Sequence, residues 1–182
     1  MGSSYPVPNK YMLSIKTPKK ITYRPLKQNL FVHSTTVTPQ FTNVNFVYRT
    51  NKINYLTDYY NEFFTLPANL INQAIAKYLS ATNIFKFVTN DPTPIGTQYI
   101  LKSKVTELYA DYRDHDHPKA VMKIQFNLFI INHNDKNVML FNKTFSAAAP
   151  LRCKNSQSLV NAWNVDLEII LRRLAYNLQR VR

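Results

Sequence analysis

Lys119-Ala120-Val121-Met122-Lys123-Ile124-Gln125-Phe126-Asn127-Leu128-Phe129-Ile130-Ile131-Asn132 decides the fold class of this chain. Met122, Ile124, Phe126, Leu128 and Ile130 alternate with Lys123, Gln125 and Asn127. Successive side chains of a strand point to opposite faces, so one face of this strand meets a core and the other looks largely toward solvent. Two further long runs flank it, residues 98–112 and 138–147, across short polar turns at 114–118 and 133–136. Three long strands joined by tight turns form an antiparallel meander.

A sheet with one apolar face needs a cover, and two segments supply it. Residues 66–80 carry Pro67, suited to a first turn, and Leu70, Ile71, Ala74, Ile75, Tyr78 and Leu79 at the helical period. A longer helix starts from a cap at Ser156 or Ser158 and runs to residue 179, with Val160, Trp163, Leu167, Ile170, Leu171, Leu174 and Leu178 on one side. Arg172, Arg173 and Arg180 fall near its carboxyl end, where positive charge complements the helix dipole. Shorter β segments precede these: a strand over 30–37 before Pro39, a hairpin of 46–49 with 53–55 across residues 50–52, and a strand at 85–88 stopped by Pro92 and Pro94. No internal repeat or heptad seam is present. The expectation is an α/β fold, a largely antiparallel β-sheet flanked by two main helices.

At 182 residues and 45% hydrophobic content the chain can bury one sizeable core without disulfides or metal. Its apolar runs, such as 128–131, fall far short of the roughly 18 residues of a membrane-spanning helix. Cys153 is the only cysteine, which rules out an internal disulfide and leaves the redox compartment open. Met1-Gly2-Ser3-Ser4 reads as a cloning remnant, followed by neither a hydrophobic signal core nor a lipid-accepting cysteine. Residues 1–27 form a basic, proline-containing extended arm, with at most a short edge strand around 11–15, and residues 28–182 form a single domain. The formal net charge is +13, and eight Lys or Arg precede the first acidic residue, Asp58. Such an arm is attracted to anionic lipid headgroups, nucleic acid or acidic protein, or is simply a solvated tail; charge does not choose among them.

The densest polar cluster, Asp111, Asp114, His115, Asp116 and His117, reads as a solvated hairpin turn. So tight a turn rarely converges metal ligands without distant partners, and His33 and His133 have no companion at ligand spacing. Cys153 sits between Arg152 and Lys154, which lower a thiol pKa, but has no histidine nearby in sequence. With Gly2 and Gly96 as the only glycines, phosphate-cradling loops are excluded. No catalytic residue, metal or cofactor is assigned. Lys102 and Lys104 share a strand face, but their neighbours along it, Ile100, Thr106 and Leu108, make a poor nucleic-acid platform. Tyr55, Tyr59, Tyr60, Phe63 and Phe64 place five aromatics within ten residues. Part of this run is core, and the remainder suits a subunit interface or a lipid contact, since such side chains are large, stiff and, for tyrosine, polar at the tip.

Several segments, taken in order, resemble the ABC-type transport auxiliary lipoprotein family, which includes the paraquat-inducible protein C-like lipoproteins. Phe31-Val32 leading to Pro39-Gln40-Phe41 resembles the family's strand ending in proline and an aromatic, and Phe46-Val47-Tyr48-Arg49 its apolar-apolar-Tyr-Arg strand. Ile53-Asn54-Tyr55-Leu56 then leads to Phe64-Thr65-Leu66-Pro67, similar to the family's Trp-x-x-Pro helix opening with Phe64 in place of Trp. Ile84-Phe85 to Val88, Tyr99-Ile100-Leu101, Phe145 to Pro150, and Leu159-Val160-Asn161-Ala162-Trp163-Asn164 continue the match, which spans residues 28–178.

The resemblance implies that the sheet is mixed and flanked by helices, a fold similar to the amino-terminal domain of TolB and to anticodon-binding-like domains. It implies a non-enzymatic auxiliary component of an ABC/MCE-type phospholipid transport system in the Gram-negative envelope, docking on the periplasm-spanning MCE-domain protein. Contact with anionic phospholipid and assembly into a homo-oligomer belong to the same expectation, as does periplasmic location with outer-membrane anchoring through an amino-terminal lipid on a cysteine that this sequence lacks. The residues expected to make partner or lipid contacts are Tyr59, Tyr60, Phe63, Phe64 and Arg49. The alternative is a basic nucleic-acid-binding module; under the first reading no nucleic acid is expected.

Overall fold

The computed structural model describes residues 7–18, 26–91, 96–131 and 136–181, with the side chains of Leu26 and Lys27 left aside. In chain order the elements are β1 (Asn9–Tyr11), β2 (Leu26–Val32), β3 (Thr36–Val37), a 3-10 turn (Pro39–Phe41), β4 (Asn45–Arg49), β5 (Tyr55–Phe63), α1 (Pro67–Ala81), β6 (Phe85–Thr89), β7 (Thr97–Asp111), β8 (Lys119–Ile131), β9 (Asn137–Ala147) and α2 (Ser156–Leu178). Residues 1–4, the expected cloning remnant, lie outside the described residues, as do Pro25, Pro92, Pro94 and His133.

The meander is present, and β7 organises everything else. One edge of β7 pairs antiparallel with β8 from Tyr99↔Ile130 to Asp111↔Lys119, and β8 pairs antiparallel with β9. The opposite edge takes three strands in series, all parallel: β2 beside residues 97–101, β3 beside Lys104 and Val105, and β4 beside Ala110 and Asp111. β6 lies outside β2, β5 outside β4, and β1 outside β5. The result is a mixed, open sheet with two helices, the fold class expected.

α1 packs against β2 and β6, α2 against β8 and β9, and the two helices touch, so both cover one face of the sheet. Between them and the sheet lies the core, centred on a triad of rings. Phe46 stands 4.8 Å from Phe63 and 5.1 Å from Trp163, and Phe63 stands 5.3 Å from Trp163, centroid to centroid. Apolar burial of this kind is the main stabilising term of the fold. α1 opens with Pro67, whose missing N–H costs nothing in a first turn, and just beyond its end Asn83 takes a left-handed φ of 53°. No helix among the described residues is long and apolar enough to cross a membrane.

Several local expectations are corrected. The cap of α2 is Asn155, whose side chain accepts the Ser158 N–H at 2.8 Å; Ser158 is the donor and not the cap. No basic residue lies in the last turn of α2: Arg173 reaches back to donate to the Ser146 carbonyl at 2.9 Å, and Arg180 donates to the Tyr176 hydroxyl and lies over its ring. The single strand expected over 30–37 is two strands, because β2 ends at Val32 and β3 resumes further along β7. The amino-terminal arm carries its strand at 9–11 and is fastened to the domain. Ile15 is buried, the Ser14 N–H donates to Asn164 Oδ1 at 2.9 Å, and the Lys16 N–H to Glu168 Oε1 at 2.7 Å. Residues 7–18 are thus an outer layer on α2 and β5, on the same body as the segment that follows residue 28.

Candidate docking surface

β5 is nine residues long where a three-residue strand was expected, and it contains a bulge. Pairing with β4 passes from Val47↔Thr57 to Asn45↔Glu62, two steps on β4 against five on β5, so three extra residues of β5 are looped out. Asp58 holds the loop. Its Oδ1 accepts the N–H of Tyr60 at 2.7 Å and of Asn61 at 3.1 Å. Its Oδ2 accepts the Tyr48 hydroxyl at 2.5 Å and Asn61 Nδ2 at 2.9 Å. Burial alone raises the Asp58 pKa, but these donors outweigh it and hold the carboxyl below its ordinary value. The Tyr48 phenol is pushed up by burial and by the carboxylate it donates to.

The bulge sets which aromatics face outward. Tyr59 and Tyr60 are thrown into solvent, 77% and 62% exposed. Phe63, expected at the contact surface, belongs instead to the core: it is 2% exposed within the ring triad, where alternation after the bulge turns it inward. Phe64, one residue on, is 64% exposed while its N–H donates to the Tyr11 carbonyl at 2.8 Å. Leu56 is half-exposed and Ile53, in the β4–β5 turn, is 88% exposed. β1 pairs only with residues 61–63, so the outer edge of β5 upstream has no strand beside it among the described residues. Its carboxylates are engaged, Asp58 within the bulge and Glu62 with Lys10 at 3.4 Å.

Arg49 works from the other face of the hairpin. Its Nε donates to the Asn51 carbonyl at 3.2 Å, its Nη2 to the Lys52 carbonyl at 2.9 Å and its Nη1 to the Tyr109 hydroxyl at 3.4 Å. The guanidinium also lies 5.4 Å from the Tyr55 ring centroid and 5.8 Å from that of Tyr109. Arg49 therefore ties the turn to β7, and with Phe41, Val47, Tyr55, Thr57 and Tyr109 it lines an open slot of about 380 Å³ where β7 passes between β3 and β4.

The remaining polar clusters among the described residues are tied up in local bonds. Asp114 Oδ1 accepts the N–H groups of Asp116 and His117, and Asp114 Oδ2 meets His117 Nδ1 at 3.1 Å, which is the chemistry of a self-contained turn. Asp111 is paired with Arg113 at 2.7 Å, and its pKa is lowered chiefly by that bond. No group of three or more metal-ligating side chains converges among the described residues. Cys153 is exposed, with its backbone N–H on Ser158 Oγ. Lys102 and Lys104 lie on the helix-free face, where the cross-strand neighbours include Phe31 and Phe129; Lys102 Nζ sits 5.4 Å over the Phe129 ring, so that ring face is taken.

One unusual residue escaped the sequence reading. Asp166 is fully buried in the apolar stripe of α2, and neither carboxylate oxygen has a hydrogen-bond partner. The Ala149 N–H points toward it and lowers its pKa a little, short of a full hydrogen bond, but burial dominates and raises the value to about 7. The signal was available: helical spacing puts Asp166 three residues after Trp163 and four before Ile170.

No protein-family model and no curated protein matches the chain. Solved structures do match its fold. A protein of Xanthomonas campestris described by the family model DUF330 superposes with a TM-score of 0.80 at 12% identity, covering 93% of this chain and 95% of the other. An uncharacterised protein gives 0.65 at 17% identity, with 91% and 98% covered. A hypothetical protein of Chlamydia trachomatis gives 0.56 at 14% identity, with 86% and 98% covered. At these identities the likeness establishes a shared fold.

Proposed function

We propose that this chain is a non-catalytic accessory module of the bacterial envelope that acts by docking, with the outer edge of β5 as its contact surface. The observation that carries the reading is the row of exposed large side chains on β5 and its turn, Ile53, Leu56, Tyr59 and Tyr60, on a domain whose polar clusters are otherwise self-satisfied. Exposed aromatics grouped on one rigid strand are the composition of a binding surface and are expensive to leave in water without a partner.

The fold shared with the Xanthomonas DUF330 protein and the ordered resemblance to ABC-type transport auxiliary lipoproteins supply the context. In that context the chain serves an ABC/MCE-type phospholipid transport system, is held at the periplasmic side of the outer membrane by a lipid anchor, and docks on the MCE-domain protein. The test is a pulldown from envelope extract in mild detergent. The wild-type chain is expected to recover an MCE-domain protein, and recovery of none would overturn the transport reading. Intact-mass analysis of the native protein is expected to show a diacylglycerol adduct, and an unmodified mass removes the anchor.

A further inference from the structure

We infer that the β4–β5 hairpin end of the domain, with the outer edge of β5, seats on an anionic phospholipid bilayer. This rests on the envelope role proposed above and assigns the β5 edge to lipid, so that the MCE-domain protein is met through another face. The hairpin turn, the β7–β8 turn and the β9–α2 connection lie at one end of the molecule: the Tyr112 N–H donates to the Arg49 carbonyl at 2.8 Å, and the Leu151 N–H to the Pro118 carbonyl at 2.9 Å.

That end is cationic. Lys52, Lys119, Arg152 and Lys154 stand there with no ion pair among the described residues. The positive amino terminus of α2 adds to them, with no acidic residue in its first turn. Of the opposing carboxylates, Asp111 is neutralised by Arg113, which leaves Asp114 and Asp116 against these four cations. A surface potential of this sign draws the domain to anionic headgroups and repels a second copy of a chain of net charge +13.

The apolar groups beside this charge suit the bilayer boundary. Ile53 projects from the turn at 88% exposure, and Tyr59 and Tyr60 follow along β5. Tyrosine, with an apolar ring and a polar tip, is the side chain that collects at membrane interfaces. The direction of β1 agrees. β1 runs parallel to β5 with Asn9 opposite Asn61, so chain entering β1 comes past Tyr59 and Tyr60, bringing Val7 at 87% exposure to the same edge. A bilayer meets side chains and asks nothing of the backbone, which fits an edge whose ladder is interrupted by the Asp58 bulge.

The experiment is co-sedimentation with vesicles of phosphatidylethanolamine and phosphatidylglycerol, against vesicles of phosphatidylcholine. Wild-type protein is expected to pellet with the phosphatidylglycerol vesicles and to be released as salt rises. Ile53→Asp and the double change Tyr59→Ser, Tyr60→Ser each should weaken binding about tenfold or more, since each removes an apolar anchor. Phe87→Ser, on the exposed β6 edge, should leave it unchanged. A second readout is Ile53→Trp, whose emission should shift to the blue on vesicles, Trp163 being buried already. Binding that ignores lipid charge, or that survives the Ile53 and tyrosine changes, overturns the inference. Failure to bind vesicles while the MCE-domain protein is still recovered overturns it and leaves the docking role standing; vesicle binding without that protein removes the transport reading alone.

Discussion

Asp166→Asn should flatten the dependence of stability on pH between 5 and 8. In the folded chain burial holds the Asp166 carboxyl at about 7, against an ordinary 3.8, with no charged side chain offsetting the cost. The unfolded chain titrates near the ordinary value, so between the two the folded state keeps a proton that the unfolded state has lost. Stability from this group is therefore complete below pH 3.8, falls as pH rises, and levels off above about 7. At 1.36 kcal/mol for each tenfold in proton affinity the full loss is about 4 kcal/mol, of which about 3 kcal/mol falls between pH 5 and pH 8. That is a large share of the 5–15 kcal/mol that holds a typical domain together. The assay is urea unfolding at pH 5, 6, 7 and 8 for both proteins. The asparagine amide also lacks a partner, at a cost of about 1–3 kcal/mol at every pH, so the variant starts lower and the test lies in the slope. Parallel curves for the two proteins would refute the assignment of a buried, uncompensated carboxyl to Asp166.

Asp58→Ala removes the acceptor of the Tyr48 hydroxyl and of two bulge N–H groups, and should cost about 2–3 kcal/mol in urea unfolding. Because Asp58 and Asp111 both titrate below the ordinary value, the stability they supply is present above pH 3.8 and is lost as pH falls below it, which an acid unfolding curve of Asp58→Ala should show as a shallower limb. Phe63→Ala should cost about 3–5 kcal/mol, whereas Phe64→Ala should stay within about 0.5 kcal/mol by the same measurement. Asn155→Ala, which deletes the cap of α2, should lower stability by about 1 kcal/mol, read as a drop in the thermal midpoint.

The parts of this fold that declare themselves in the sequence are those governed by local periodicity. Alternation from Met122 to Ile130 and the helical spacing from Leu70 to Leu79 and from Val160 to Leu178 reflect one buried face each, and these became β8, α1 and α2. What stayed hidden is non-local or aperiodic. Parallel pairing of β2, β3 and β4 along one edge of β7 leaves no local signature, since partners lie some 60 to 70 residues apart. The full strand over 55–63 is hidden in the sequence because the Asp58 bulge breaks alternation where the aromatics are densest. The same break explains the site: before the pairing is known, Phe63 and Phe64 are equivalent neighbours, and only the register after the bulge decides that one is core and the other surface.

Edge strands show why the β5 surface is unlike the others. An open edge invites pairing with another chain, and proteins blunt it with charge, proline or a bulge. β9, an outer strand, carries Lys143 among Asn142 and Thr144, and β6 carries Lys86 beside Phe87. From Tyr55 to Tyr60 β5 carries no lysine or arginine, and its one carboxylate is turned into the bulge onto Tyr48 and Asn61. Protection there falls to the bulge, and the bulge is what turns Tyr59 and Tyr60 outward. One local feature thus discourages strand addition while raising the exposure of two rings. A surface built that way rejects partners that read backbone and selects for partners that read side chains, and the carboxylate that holds it in shape is the Asp58 whose removal should abolish both properties together.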